Sequence, residues 1–141
     1  MLDPTTVIEI GCGLGENLAL IQAPQRYGFD VDEGVIKAAQ FLRGKEIQFA
    51  VGSFSEVMAD TIDVLILINW IHELSPSELE TQLAPLLLRT RYLLLDAIDK
   101  DGPVSYRFKH DFKFLDSISN RLSSRRPANE GRSFNLFEIR A

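Results

Sequence analysis

Short apolar runs alternate with amphipathic stretches along most of this chain. Val7, Ile8 and Ile10 form a cluster rich in β-branched residues, as expected of a strand buried on both faces. It leads directly into Gly11-Cys12-Gly13-Leu14-Gly15, after which Leu14, Leu18 and Ile21 share one side of a helix that Pro24 cuts short. A second strand is expected over 27–32. Asp32 then stands where a helix cap belongs, Val35, Ile36 and Ala39 supply that helix's inward face, and Gly44 offers a left-handed stop. Residues 46–52 alternate apolar with polar before turning fully apolar, the pattern of a strand near a sheet edge. Residues 62–70, Ile-Asp-Val-Leu-Ile-Leu-Ile-Asn-Trp, are the most hydrophobic run, too short to cross a membrane and rich in β-branched residues. They predict a central strand.

Ser75-Pro76-Ser77-Glu78 combines a capping serine, a proline at the first helical position and a glutamate placed to complete a capping box. The helix that follows runs to about Leu88, with Leu79, Leu83, Leu86 and Leu87 as its inward stripe. Tyr92-Leu93-Leu94-Leu95 predicts another buried strand, ending at Asp96. Residues 99–103 read as a loop where substrate contacts are expected. Phe114, Leu115, Ile118 and Leu122 give 110–122 a helical pattern, and 133–139 read as a last strand, paired antiparallel with a short one around 121–124. Strand–helix alternation followed by a terminal hairpin predicts an α/β fold: a three-layer sandwich on a mostly parallel twisted sheet, with an antiparallel C-terminal strand. At 141 residues and 45% apolar content, 1–141 is expected to form one domain around one core.

Charge narrows the partners. The net charge is −5 and no run of lysine or arginine marks a basic arm, so a small molecule or a protein is expected as partner and nucleic acid is not. Arg121, Arg125 and Arg126 read as solvated surface. Cys12 is the single cysteine, which excludes an internal disulfide and suits a cytoplasmic setting. No base adjoins it in sequence, so it reads as a small packing residue and not as a nucleophile. Met1-Leu2-Asp3-Pro4 carries no basic segment, so neither a secretory signal nor a membrane anchor is expected, and no metal is called for.

The chemistry concentrates in the glycine turn. Glycines at 11, 13 and 15 leave the backbone open to a ligand, as a nucleotide-like molecule at the carboxyl end of a parallel sheet requires. The spacing is Gly-x-Gly-x-Gly and not the Gly-x-Gly-x-x-Gly of dinucleotide binding. Asp30, closing the second strand, is placed to accept ribose hydroxyls. Together Glu9-Ile10-Gly11-Cys12-Gly13-Leu14-Gly15 and Gly28-Phe29-Asp30-Val31-Asp32 resemble the class I S-adenosylmethionine-dependent methyltransferases. The resemblance implies a Rossmann-like methyltransferase fold, S-adenosylmethionine as cofactor and methyl transfer to a small-molecule acceptor that the sequence does not identify.

It also implies roles for particular residues. Glu9 would lie near the methionine part of the cofactor, Gly11, Cys12, Gly13 and Gly15 along it, and Asp30 with Val31 at its ribose. Ser53 stands where many members carry an acid for the adenine amino group, and Phe54 belongs either on the purine or in the core. Asn69 falls at the cofactor, with Trp70, His72 and Tyr106 toward the acceptor. Trp70 would wall the substrate pocket or cover the adenine. His72 is the one obvious general base there, against the alternative of a histidine bonding a loop carbonyl or capping the next helix. His110 is expected to face water. Few residues precede the turn, where family members carry covering helices, so an open cleft is expected, met by self-association or a covering partner. Two other readings remain: an NAD-dependent oxidoreductase, which glycine spacing and length oppose, and a non-catalytic binding or assembly module, which Ser53 favours.

Overall fold

A computed structural model describes residues 2–98, 107–128 and 130–140. In chain order it has β1 (Thr6–Ile10), α1 (Glu16–Leu20), β2 (Gln25–Asp30), α2 (Glu33–Arg43), β3 (Gln48–Val51), β4 (Ile62–Leu67), α3 (Pro76–Leu87), β5 (Thr90–Ile98), β6 (Ser119–Arg125) and β7 (Arg132–Ile139). All seven strands join one sheet in the order β3-β2-β1-β4-β5-β7-β6. The first five in that order are parallel, and β7 runs antiparallel to both β5 and β6. The hydrophobic run thus becomes the middle strand β4, and the half-polar run becomes the edge strand β3. Chain direction across the sheet reverses between β1 and β4, which makes their carboxyl ends the place where such sheets hold ligands.

Local chemistry sets the helix ends as expected. The Asp32 side chain accepts from the Val35 amide at 3.0 Å. At α3, Ser75 Oγ accepts from Glu78 N at 3.2 Å while Glu78 Oε2 accepts from Ser75 N at 2.7 Å. These bonds satisfy amides that a helix start leaves without partners. The two sheet faces bury separate clusters. Val7, Leu18, Ile36, Ala39 and Ile66 pack on the side of α1 and α2. Ile8, Leu65, Leu79, Leu83, Leu93 and Phe137 pack on the side of α3. Among the described residues, no helix is long and apolar enough to cross a membrane.

One expected element is absent. The helix over 110–122 is replaced by a 3₁₀ turn at Lys113–Leu115 and by β6, which starts at Ser119. The supposed apolar face does not hold together: Leu115 is fully buried, whereas Leu122 is half exposed. Pairing with β7, from Ser119↔Ile139 to Arg125↔Phe134, outweighs the weak helical periodicity. Strand bounds shift too. β2 starts earlier, at Gln25, β5 extends over Thr90–Ile98, and β4 stops at Leu67, just before Asn69 turns the chain with φ 75°. The loop over 99–103 lies outside the described residues.

Candidate functional site

The glycine turn sits on the carboxyl edge between β1 and α1. Gly11 and Gly13 have φ of 73° and 53°, in the left-handed region where a side chain is costly. The amides of Gly11 and Cys12 both donate to Phe29 O, at 2.7 and 2.9 Å, which fastens the turn to β2. What the glycines leave open differs from one to the next. A Cβ at Gly11 would collide with the Trp70 indole and one at Gly15 with the Phe49 ring, while one at Gly13 would meet nothing within 4 Å. Gly13 is therefore the position at which a ligand can approach the main chain.

Asp30 stands beside that opening. Its Oδ2 accepts from Gly13 N at 3.1 Å and its Oδ1 from Asp32 N at 3.0 Å. Each carboxylate oxygen keeps acceptor capacity beyond one amide, so both ends of Asp30 can still take a hydroxyl. Glu9 is 1% exposed. Its Oε1 accepts from Asn17 Nδ2 at 2.8 Å, and its Oε2 is buried without a hydrogen-bond partner. Burial pushes its carboxyl up to about 7, with the Asn17 bond pulling the other way. An orphaned buried carboxylate of this kind suits a cationic ligand group. Asn17, in the same short segment, joins the site through its bond to Glu9 although no motif marks it. Burial, followed by the charges of Glu9 and Asp30, pushes the Cys12 thiol up to about 12. It stays protonated and packs, as expected.

The opposite wall comes from the ends of β3 and β4. Ser53 N donates to Glu56 Oε2 at 2.8 Å, opening the 3₁₀ turn Phe54–Glu56. Phe54 is buried in the α3-side core, its ring 5.6 Å from that of Trp70. Trp70 donates its indole N–H to Ile10 O at 2.7 Å, across the floor of the cleft. It divides two hollows. One of about 180 Å³ is lined by Ile10, Gly11, Asp30 and Glu73, and one of about 280 Å³ by Phe54, Leu74 and Gln82, with Val31, Gly52, Ser53 and Trp70 common to both.

Asn69 is held at both ends in its left-handed conformation. Its amide donates to Asp96 Oδ1 at 3.0 Å, and its Oδ1 accepts from Arg132 Nη2 at 3.1 Å. Asp96 is 2% exposed. Its Oδ2 lacks a hydrogen-bond partner and lies 3.7 Å from Arg132 Nη1. Burial raises the Asp96 carboxyl, opposed by the Asn69 amide, Arg132 and His72. His72 lies half-buried in the turn Ile71–Glu73, and its carbonyl accepts from Phe108 N at 2.9 Å. His110, expected to face water, instead donates from Nε2 to Ile71 O at 2.9 Å and stacks on Phe112 with rings 5.9 Å apart. Asp96 and Arg132 were not foreseen as site residues. An acid closing an apolar strand at a carboxyl edge was the available signal for Asp96. Tyr106 lies outside the described residues.

A more voluminous hollow, about 750 Å³ between α3 and the turn before β6, is lined by Ile62, Leu88, Thr90 and Ile118. It opens at the amino ends of β4 and β5 and holds none of the groups above. Chemistry, and not volume, marks the carboxyl edge as the candidate site.

No family model matches the chain, and no curated protein matches it in sequence. Solved structures do match in three dimensions. Magnesium protoporphyrin IX methyltransferase (ChlM) from Synechocystis PCC 6803, with bound SAH, superposes with a TM-score of 0.76 at 18% identity over 99% of this chain and 75% of that one. The N-methyltransferase NodS from Bradyrhizobium japonicum WM9 gives 0.78 at 13% identity over 99% and 88%. TehB from Haemophilus influenzae gives 0.74 at 16% identity over 99% and 59%. Likeness at such low identity establishes the fold, which is the Rossmann-like methyltransferase sandwich.

Proposed function

We propose that the protein binds S-adenosylmethionine across Gly11, Gly13 and Asp30 and catalyses transfer of its methyl group to a small-molecule acceptor. The observation that carries this reading is the open backbone at Gly13, flanked by Asp30 and by the orphaned Glu9 carboxylate. Asp30 would accept the ribose hydroxyls. Glu9 would face the ammonium and sulfonium end, where a cation stabilises its ionised form. Exposed Val31 and the Gly52-Ser53 segment would flank the adenine, with buried Phe54 and half-buried Trp70 as the apolar floor. Gly15 and Cys12 shape the turn without touching the chemistry.

When bound, the cofactor supplies a methyl group already made electrophilic by its sulfonium. What remains for the chain is to hold the acceptor in line and to accept a proton when the acceptor is a hydroxyl. His72, beside Asp96 at the end of β4, would be that base, and Asn69 would fix the start of its loop. Trp70 would separate acceptor from adenine. A single buried thiol suits a cytoplasmic setting, and the exposed Leu14 and Val31 at the cleft rim suit cover by a partner or a second copy.

Calorimetric titration with S-adenosylmethionine, S-adenosylhomocysteine and NAD tests the reading. The two sulfur ligands are expected to bind and NAD is not. Binding of NAD alone would overturn it in favour of the oxidoreductase.

A further inference from the structure

Past Asp96, the same carboxyl edge holds a second polar hollow, about 280 Å³, enclosed by β5, β6, β7 and the segment before the 3₁₀ turn at Lys113–Leu115. Strand register explains its floor. Ala97, Leu95 and Leu93 lie opposite Ser133, Asn135 and Phe137, and these positions face the α3-side core. Ser133 and Asn135 are therefore polar residues on a core face, 4% and 2% exposed. Asn135 Nδ2 donates to Ser133 Oγ at 3.0 Å. Polar side chains at buried strand positions cost stability relative to apolar ones, so a pair of them at the edge of a core calls for a use.

Cations line the wall above that floor. The Arg121 guanidinium lies 5.0 Å from the centre of the Phe137 ring, and its Nη2 donates to Asp111 O across a long 3.4 Å. Arg126 and Ser124, at the carboxyl end of β6, line the same hollow, and the stacked His110 and Phe112 close its far side. Asp111 is the one acid among the described lining residues. Its carboxylate is engaged by Lys113, through the amide to Oδ1 at 3.1 Å and through Nζ to Oδ2 at 3.3 Å. Among the described lining residues, the guanidinium groups of Arg121 and Arg126 thus outnumber the one carboxylate.

We infer that this hollow is an oxyanion subsite, which holds a carboxylate or phosphate group of the methyl acceptor between Arg121 and Arg126. The guanidinium fork matches either group with paired, charge-assisted hydrogen bonds. Ser124 and Ser133 add donors, while Ala97 and Phe112 offer apolar surface to the rest of a small acceptor. The link to the acceptor rests on the methyltransferase reading. Its structural basis is His110, which borders the hollow and also bonds Ile71 O, the residue before the proposed base His72.

Amide chemical-shift titrations with inorganic phosphate and with benzoate, at fixed ionic strength, test the subsite. They are run on the unaltered protein, Arg121→Gln and Arg126→Gln, with S-adenosylhomocysteine binding measured on the same samples. At least one probe is expected to give saturable shifts centred on Ser124, Ser133 and Asn135, weakened about tenfold or more in each variant, with S-adenosylhomocysteine binding unchanged. Which probe saturates tells carboxylate from phosphate. Failure of both to saturate, or saturation that survives both substitutions, overturns the subsite. Loss of S-adenosylhomocysteine binding by the unaltered protein would instead overturn the methyltransferase reading, and the shifts would still decide whether the hollow takes an anion.

Discussion

The two ends of the carboxyl edge are built by different means. Around Gly13 the groups of the proposed cofactor site are main-chain atoms and two acids, all drawn from β1, the turn and β2. Around Asn135 they are side chains from distant segments, which meet only because β7 inserts antiparallel between β5 and β6. A backbone-built site depends on conformation that few substitutions permit. A side-chain-built site keeps its walls while individual residues change, which suits one scaffold to many acceptors.

Gly13→Val is the strongest way to break this contrast. The substitution should abolish S-adenosylhomocysteine binding in calorimetry, because the new side chain fills the one open approach to the turn. Its folding cost should stay near the left-handed penalty of about 1–2 kcal/mol, read from urea denaturation. Retained binding would place the ligand elsewhere and dissolve the distinction between the two ends.

Asp30→Ala comes next. Loss of hydrogen bonds to a charged acceptor removes about 1.5–3 kcal/mol each, so affinity should fall by roughly tenfold or more per bond. An unchanged dissociation constant would remove Asp30 from the cofactor's ribose.

Glu9→Gln gives the smallest change in affinity and a distinctive pH dependence. The folded-state pKa is about 7 against an ordinary 4.5, so the folded chain holds this proton more tightly than the unfolded chain does. Stability therefore declines as pH rises between these values, and the cost is complete above about 7, on the order of 3 kcal/mol. Without ligand, Glu9→Gln should accordingly gain up to that amount on the parent at pH 8 and little at pH 4, measured by urea denaturation. Saturating S-adenosylmethionine should shrink the gain, since a cation beside Glu9 favours its ionised form. Equal pH profiles for the two proteins would mean that the carboxylate is not orphaned.

Legibility in the sequence follows the same division. The Asp32 cap and the Ser75-Glu78 box declare themselves because each is decided within a few residues, and the glycine turn because its spacing is contiguous in sequence. Strand–helix alternation alone predicts a mostly parallel sheet, but not the order β3-β2-β1-β4-β5 in which its strands lie. The segment over 110–122 is misread because its conformation is decided by β7, which comes later in the chain. His110 was assigned to water because its acceptor, Ile71 O, lies 39 positions away. Asp96, Arg132 and Asn69 form a cluster only through the β5–β7 register, which brings Asp96 opposite Phe134. Phe54 was divided between purine and core, and its 7% exposure follows from packing against Trp70 that no local pattern announces.

Trp70 is the chain's only tryptophan, and its indole N–H is bonded to Ile10 O on the floor of the cleft. The protein thus carries one indole fluorophore, seated at its candidate ligand site and shared by the two hollows on either side. Emission excited at the red edge of indole absorbance arises from that single ring, so its colour registers the polarity of this cleft and of no other region. Occupancy of the turn can therefore be followed by intrinsic light alone, on the unaltered chain and without a label.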